Sequence, residues 1–422
     1  MSNTERHEIL ELIKHEVTPA VGCTEPIAVA LAVAKVAQLL GGIPEQVELF
    51  LSANVLKNAM GVGIPGTGMS GLPIAIAMGA IVAKPELGLE ILKDLSAESI
   101  AKGKELVSTK FFQLNLKENI DEKLYIQVVG HLNSHRAEVI ISKDHTRFSF
   151  LQYDDEVLLK IDEAKLNSEK ASAIQLSFDK VYAFALETPL SDIEFIIKTV
   201  ELNKAAAQES LKGTYGHSVA QTLANGMMGN TVFTRMLSVT AAACDARMAG
   251  ALFPIMSNSG SGNQGIAATL PVSVFAEESG KSHEELIRAL VLSHLMTIYM
   301  KQSLGRLSGL CGAVLAATGA ACGITYLMGG SHIQIGYSVK NMIGNITGMI
   351  CDGAKPSCAL KVSNGVSTAT LSALLAMDNK VVSDVEGIID ESVDKTIQNL
   401  TQIGRDGMNE TDRMVLDIMT SK

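Results

Sequence analysis

The sequence predicts an α+β protein. It has an N-terminal α/β-sandwich-like domain over residues 1–185, with a small mixed or antiparallel sheet, and an all-helical C-terminal domain over 186–422. Three observations carry this reading. Period-two alternation is confined to Val47–Ser52 and to a block beginning at Leu124. From about Ser191 onward almost every segment reads as helix. A chain of 422 residues, 47% apolar and 19% charged, exceeds the usual single-domain size and can build a substantial core.

Taken in order, residues 4–15 read as an amphipathic helix with Ile9, Leu10, Leu12 and Ile13 on one side. The small-residue turn Thr18-Pro19-Ala20-Val21-Gly22-Cys23-Thr24-Glu25-Pro26 feeds a helical run, Ile27–Leu40, closed by Gly41-Gly42. Pro26 suits a first helical turn that Thr24 or Glu25 can cap. Cys23 then lies just outside a helix N-terminus, where the dipole and free N–H groups lower a thiol pKa. Val47–Ser52 reads as a strand, followed by a loop with glycines at 61, 63, 66, 68 and 71, and two helices fit within 72–109. Tyr125–Val129, a turn at Asn133-Ser134-His135, Ala137–Ile141 and Arg147–Leu151 continue the Val47 strand into an antiparallel sheet. Ser191 opens one C-terminal helix, with Asp192 and Glu194 in its first turn. Ser282 opens another, with Glu284 and Glu285.

Composition removes several classes. A net charge of −10 with no basic stripe argues against nucleic acid. Asn58–Ala83, Met248–Ala276 and Leu307–Val339 carry no Asp, Glu, Lys or Arg, and about 20 apolar residues suffice to cross a bilayer. The second stretch, however, contains Ser257-Asn258-Ser259-Gly260-Ser261-Gly262-Asn263-Gln264-Gly265, whose backbone lipid could not satisfy. Trp is absent and no Lys/Arg asymmetry flanks the stretches, so a membrane partner is not expected. Met1–His7 lacks a signal pattern, so a cytoplasmic location is the expectation. In that reducing compartment the six cysteines are thiols, metal ligands or catalysts.

Their spacing is informative. Cys311 and Cys322 would share a face of one continuous helix, but roughly 16 Å apart. Either Gly312 or Gly319 breaks that helix, or only one of the two is a ligand. Cys351 ends the helical run Ser338–Ile350, and Gly353 and Pro356 keep helix out of Cys351-Asp352-Gly353-Ala354-Lys355-Pro356-Ser357-Cys358. A loop there can fold both sulfurs around one centre. The paired C-x2-C spacing of tetrahedral zinc is missing. A set of three thiolates with one iron open would suit a Lewis acid. The plainer reading, buried cysteines packed as small apolar residues, fits Cys244 and Cys322 better.

Together, Thr18–Pro26, Ser259–Gly265, Gly309-Leu310-Cys311-Gly312 and Cys351–Cys358 resemble the L-cysteine desulfidase family, which is related to the iron–sulfur L-serine dehydratases. The resemblance covers nearly the whole chain. It implies a [4Fe–4S] cluster, one per subunit, held by Cys311, Cys351 and Cys358, with Cys23 as catalytic proton acceptor. The implied reaction is a β-elimination: an open iron binds the substrate, Cys23 removes the α-proton, and L-cysteine yields sulfide, ammonia and pyruvate. The related dehydratases carry a Ser- and His-containing segment where this chain has Val21-Gly22-Cys23-Thr24, and a more widely spaced final cysteine pair. Both departures favour cysteine, with serine the alternative substrate.

Backbone N–H groups of the Ser259–Gly265 loop can cradle a carboxylate, as an alternative to an ordinary interhelical turn. Thr24, Ser261, Asn263 and Gln264 are therefore substrate-binding candidates. His217 is a second proton-transfer candidate, although a packed or surface histidine is the plainer reading. Lys301 and Arg306 are possible carboxylate partners or solvated helix-end charges. The expected partners are a small amino-acid substrate and, through glycine-lined apolar helices, a second copy in a homodimer. A metal-free binding protein and a membrane transporter are the competing classes.

Overall fold

The structure, a computed structural model, describes residues 1–120, 122–161, 174–225, 229–305 and 307–421. In the N-terminal half the helices are α1 (Asn3–Glu16), α2 (Thr24–Leu40), α3 (Ala53–Ala59), α4 (Leu72–Val82) and α5 (Ala97–Ser108). Short strand β1 (Pro19–Val21) precedes α2, and β2 (Gln46–Leu51) follows it. A two-residue hairpin, β3 (Gly63–Ile64) and β4 (Met69–Ser70), interrupts the glycine-rich loop. The remaining strands are β5 (Phe112–Leu116), β6 (Tyr125–Leu132), β7 (His135–Ser142), β8 (Phe148–Tyr153) and β9 (Glu156–Lys160).

Alternation decides the sheet. Val47, Leu49 and Leu51 point to one face with Ile126, Val128, Val139 and Ile141; α2 covers that face, and α4 packs on α2 in the same core. The order is β5-β2-β6-β7-β8-β9. The β2–β5 pair is parallel and every other pair antiparallel, so the sheet is mixed. The strands not anticipated, β5 and β9, sit at its two edges. Edge strands bury little, and a weak burial pattern leaves a weak sequence signal.

In the C-terminal half come α6 (Phe178–Glu187), α7 (Lys198–Lys212), α8 (Val219–Ala224) and α9 (Val232–Met248). After β10 (Pro254–Met256) follow α10 (Gly262–Glu278), α11 (His283–Leu304), α12 (Gly312–Leu327), α13 (His332–Ile346) and α14 (Cys358–Met377). The last two are α15 (Val393–Gln402) and α16 (Asn409–Thr420). Helix α12 is central, packing on α10, α11, α13 and α14. Ser282 caps α11 reciprocally with Glu285, as its sequence suggests. The segment opening at Ser191 instead makes short helical turns before α7 begins at Lys198. Ile9 and Ile13 of α1 join the helical core rather than the sheet's.

Two features link the halves. Strands β1 and β10 pair antiparallel, Ala20 opposite Ile255. A separate core of small side chains gathers Ala241–Ala243, Ala267, Ala268, Ala313, Ala316 and Ala359 around Cys23 and Cys244. Among the described residues no helix is long and apolar enough to cross a membrane.

Candidate active site

Where the small-residue core meets both halves there is a cavity of about 100 Å³. Cys23, Thr24, Glu25 and Asn58 line it from the N-terminal half. Arg247, Ser261, Asn263, Cys311, Cys351, Cys358 and Lys361 line it from the helical half.

Cys23 is the N-cap residue of α2 and is 3% exposed. No side chain caps this helix; Thr24 and Glu25 turn their polar atoms elsewhere. The Cys23 thiol donates to Glu25 Oε2 at 3.1 Å. Thr24 Oγ1 donates to the same oxygen at 3.1 Å and to the Gly260 carbonyl at 2.9 Å. Asn58 Nδ2 donates to Glu25 Oε1 at 3.2 Å, and His145 Nε2 stands 3.9 Å from that oxygen. Burial works against a charged Glu25, yet His145 and the Cys23 thiol hold its carboxyl down at about 2. The same carboxylate acts in reverse on its neighbour. Burial first, and then the Glu25 charge, push the Cys23 thiol well above its ordinary range, with Arg247 opposing. The acidic thiol expected at a helix start is therefore corrected: a helix dipole is weaker than desolvation beside a buried anion.

The other three thiols approach from separate elements. Cys311 is the N-cap of α12, Cys351 lies beyond α13, and Cys358 is the first residue of α14. Neither Gly312 nor Gly319 breaks α12, so Cys322 is carried three turns away, beside Ser338. Backbone bonds from Cys311 N–H to Met349 and from Cys351 N–H to Gly309 lock the two cysteine segments together. Burial and then Cys351 push Cys311 up to about 12, and burial raises Cys358 as well.

The intervening loop is clamped on both sides. Lys355 and Lys361 both pair with Asp352, holding its carboxyl at about 2 against burial. Gly353 has φ +89°, and a Cβ there would lie 2.3 Å from the Lys57 carbonyl, so only glycine lets the loop meet α3. Lys57, 1% exposed, donates to the Cys351 carbonyl at 2.9 Å and pairs with Asp412 of α16 at 2.5 Å.

Three thiols on the wall of one cavity are soft donors of the kind iron–sulfur ligation uses. Among the described residues no three His, Cys, Asp or Glu side chains form a group able to hold one metal ion. A cubane makes a different demand, because each cysteine holds a different iron and the sulfurs stand apart. The thiols are of the donor type such a cluster takes, and among the described residues they do not form a site for a single tetrahedral ion.

The glycine-rich loop runs into α10, with Ser261 as N-cap. Arg247, 5% exposed, donates from Nε to the Gly22 carbonyl (3.2 Å) and from Nη1 to Asn263 Oδ1 (3.0 Å). Gly262 makes room for it: a Cβ there would lie 2.2 Å from Arg247 Nε.

Of the residues singled out in the sequence, Cys23, Thr24, Ser261, Asn263, Cys311, Cys351 and Cys358 share the cavity wall. Gln264 does not; it is buried behind Gly312, donating to the Asn258 carbonyl at 3.2 Å. His217 is exposed on the segment before α8 and is not part of the wall. Lys301 lies within α11, away from the lining, and Arg306 is outside the described residues. Cys244, read as simple packing, stands directly behind the wall, its thiol 3.4 Å from Asn263 Oδ1. Sequence reasoning missed Arg247, Asn58, Lys361 and His145, and saw Glu25 only as a cap. The Cys-Thr-Glu-Pro string was the one available signal for Glu25; the others sit in segments without a motif.

A family model described as serine dehydratase alpha chain matches residues 86–417. The chain belongs to the serine dehydratase alpha chain family. The region matched to that family contains the three clustered thiols, Arg247 and the glycine-rich loop, and it begins after Cys23, Glu25 and Asn58. Full-length similarity extends to UPF0597 proteins. The chain is 61% identical over 422 residues to the one from Parabacteroides distasonis, covering 98% of each. It is 59% identical over 426 residues to that of Bacteroides thetaiotaomicron, covering 100% of this chain and 99% of the other. It is 42% identical over 422 residues to that of Aeromonas hydrophila, covering 98% and 96%.

Proposed function

We propose that this protein is an L-cysteine desulfidase, a lyase that eliminates sulfide from L-cysteine to leave pyruvate and ammonia. The observation that carries the proposal is the cavity wall: a Cys23 thiol from one half stands opposite Cys311, Cys351 and Cys358 from the other. A [4Fe–4S] cluster held by those three cysteines would supply a Lewis acid for the leaving group. The chain's own residues do the rest. Arg247, kept in place by Gly22 and Asn263, offers the cation for the substrate carboxylate. Ser261 and Asn263 place the start of α10 beside it. Cys23 Sγ holds the transferable proton against Glu25, and once it is a thiolate its high proton affinity makes it a strong acceptor for the α-proton.

Anaerobic purification, a visible spectrum, and parallel assays of sulfide from L-cysteine and pyruvate from L-serine test this directly. Faster turnover of cysteine is expected. The family match favours a second reading, an iron–sulfur L-serine dehydratase, and activity on serine equal to or above that on cysteine would establish it. Six cysteines without a disulfide support a cytoplasmic setting. The homodimer remains part of the proposal, to be read from solution mass.

A further inference from the structure

Glu25 separates two spaces. On one side is the cavity that holds Cys23. On the other is a wider pocket of about 480 Å³, lined by His15, Glu16, Glu90, Asp144, His145 and Gly260. His145 lines the outer pocket and meets Glu25, which lines the inner cavity, across the wall between them. It sits in the β7–β8 turn, 4% exposed, and its Nε2 is buried without a hydrogen-bond partner, 3.9 Å from Glu25 Oε1. The ring faces Glu25 as a loose ion pair rather than through a hydrogen bond, so its nitrogen is near the carboxylate without being fixed to it. The thiol meets Glu25 at the other oxygen, Oε2. The order is therefore Cys23 Sγ, Glu25 Oε2, Glu25 Oε1, His145 Nε2, outer pocket.

We propose that Glu25 and His145 form the proton conduit between the Cys23 thiol and the outer pocket. The chemistry balances as follows. The Cys23 proton passes to Glu25 Oε2 only transiently, an uphill step because the carboxyl is lowered and the thiol raised, and a thiolate is left once His145 has drawn that proton on. A half-turn about the last torsion of Glu25, which is broad and two-fold, presents that proton to His145 Nε2. His145 releases it to water in the outer pocket, and Glu25 returns to carboxylate. The thiolate then takes the α-proton of the substrate, the C–H pair becomes the new double bond, and the C–S pair leaves on sulfur. The thiol is restored, and each turnover exports one proton. Thr24 anchors the route, since its hydroxyl bridges Glu25 Oε2 and the Gly260 carbonyl on the outer wall. Both residues act on the substrate only through Cys23; they are positioning and relay groups.

The purpose of the conduit rests on the lyase reading, but the path does not, so the test has two arms. The first needs neither cofactor nor substrate. The Cys23 S–H infrared band, identified by difference against Cys23→Ser, is followed after transfer to D2O. Exchange in His145→Ala should slow by about a hundredfold, the low end of what one positioned proton-transfer group contributes. Added imidazole, which the outer pocket can admit, should restore it. His145→Gln, which keeps the volume, should be slow and should not respond to imidazole. The second arm repeats the series on desulfidase turnover, where imidazole should rescue kcat rather than KM. Unchanged S–H exchange in both His145 variants overturns the conduit, whatever the activity. Slowed and rescuable exchange in a protein that turns over no amino acid upholds the conduit and removes the desulfidase reading instead.

Discussion

Asp412→Asn should be among the most costly single changes available, although Asp412 lies on the last helix and not in the cavity wall. Its carboxylate is 2.5 Å from Lys57 Nζ and accepts from Asn54 Nδ2 at 3.0 Å. Lys57 is 1% exposed. At that separation the attraction is about 6–7 kcal/mol for an effective dielectric near 20. Desolvating the two ions cancels much of it, so the intact pair contributes little net. Asparagine keeps the shape and leaves Lys57 as an uncompensated buried cation, which costs about 3–5 kcal/mol. Lys57→Met combined with Asp412→Leu should recover most of that, because it removes both charges. Guanidinium unfolding followed by circular dichroism gives both numbers. A loss below about 1 kcal/mol for Asp412→Asn, or a double variant no better than the single, would refute the argument. Because Lys57 also grips the Cys351 carbonyl, the loss should loosen the cysteine loop as well.

Cys23→Ser should lower turnover by about 10²–10⁴-fold while leaving the visible spectrum of the loaded protein intact; Cys351→Ser should remove both. Arg247→Met deletes a charge-assisted contact of about 1.5–3 kcal/mol, so kcat/KM for cysteine should fall by about 10–100-fold, read in the sulfide assay. Glu25→Gln removes the anion that raises the Cys23 thiol, so alkylation of Cys23 in cofactor-free protein should move to lower pH. Acid stability should show two buried groups in succession. His294 is held neutral by burial at about 3 instead of 6.5, so its contribution is full above pH 6.5 and drains as pH falls to 3. Glu25, lowered from 4.5 to about 2, contributes about 3 kcal/mol above pH 4.5 that is lost toward pH 2. Urea midpoints against pH should flatten in the lower window for Glu25→Gln.

What the sequence disclosed follows from locality. The loop between Cys351 and Cys358 was legible because proline and glycine forbid helix there, and α2 because its apolar run ends on Gly41 in a left-handed cap. The division between sheet and helices was legible from period. The electrostatics of Cys23 were not. A helix start suggests an acidic thiol, but the neighbours that reverse this, Glu25 and its partner His145, are set by a fold that brings residue 145 back over residue 25. Arg247 was invisible for the same reason, since it sits in a helix whose pattern reports only packing. Cys244 shows the limit from the other side: its alanine-rich context correctly says buried, and cannot say behind which wall.

The ribbon of β1 and β10 carries a consequence for how the molecule folds. The Ser257 hydroxyl bonds the Thr18 carbonyl across 239 residues of chain, and each strand has only three residues. So short a pairing cannot nucleate anything, and closing so long a loop is slow. The sheet core and the helical core, rich in local contacts, should form first, and the ribbon that seats Cys23 against the glycine-rich loop should zip up last. The thiols would then pass through an interval in which they are gathered within their own half but not yet covered by the other. In pulse-labelling during refolding, Cys23 should be the last of the six to become protected.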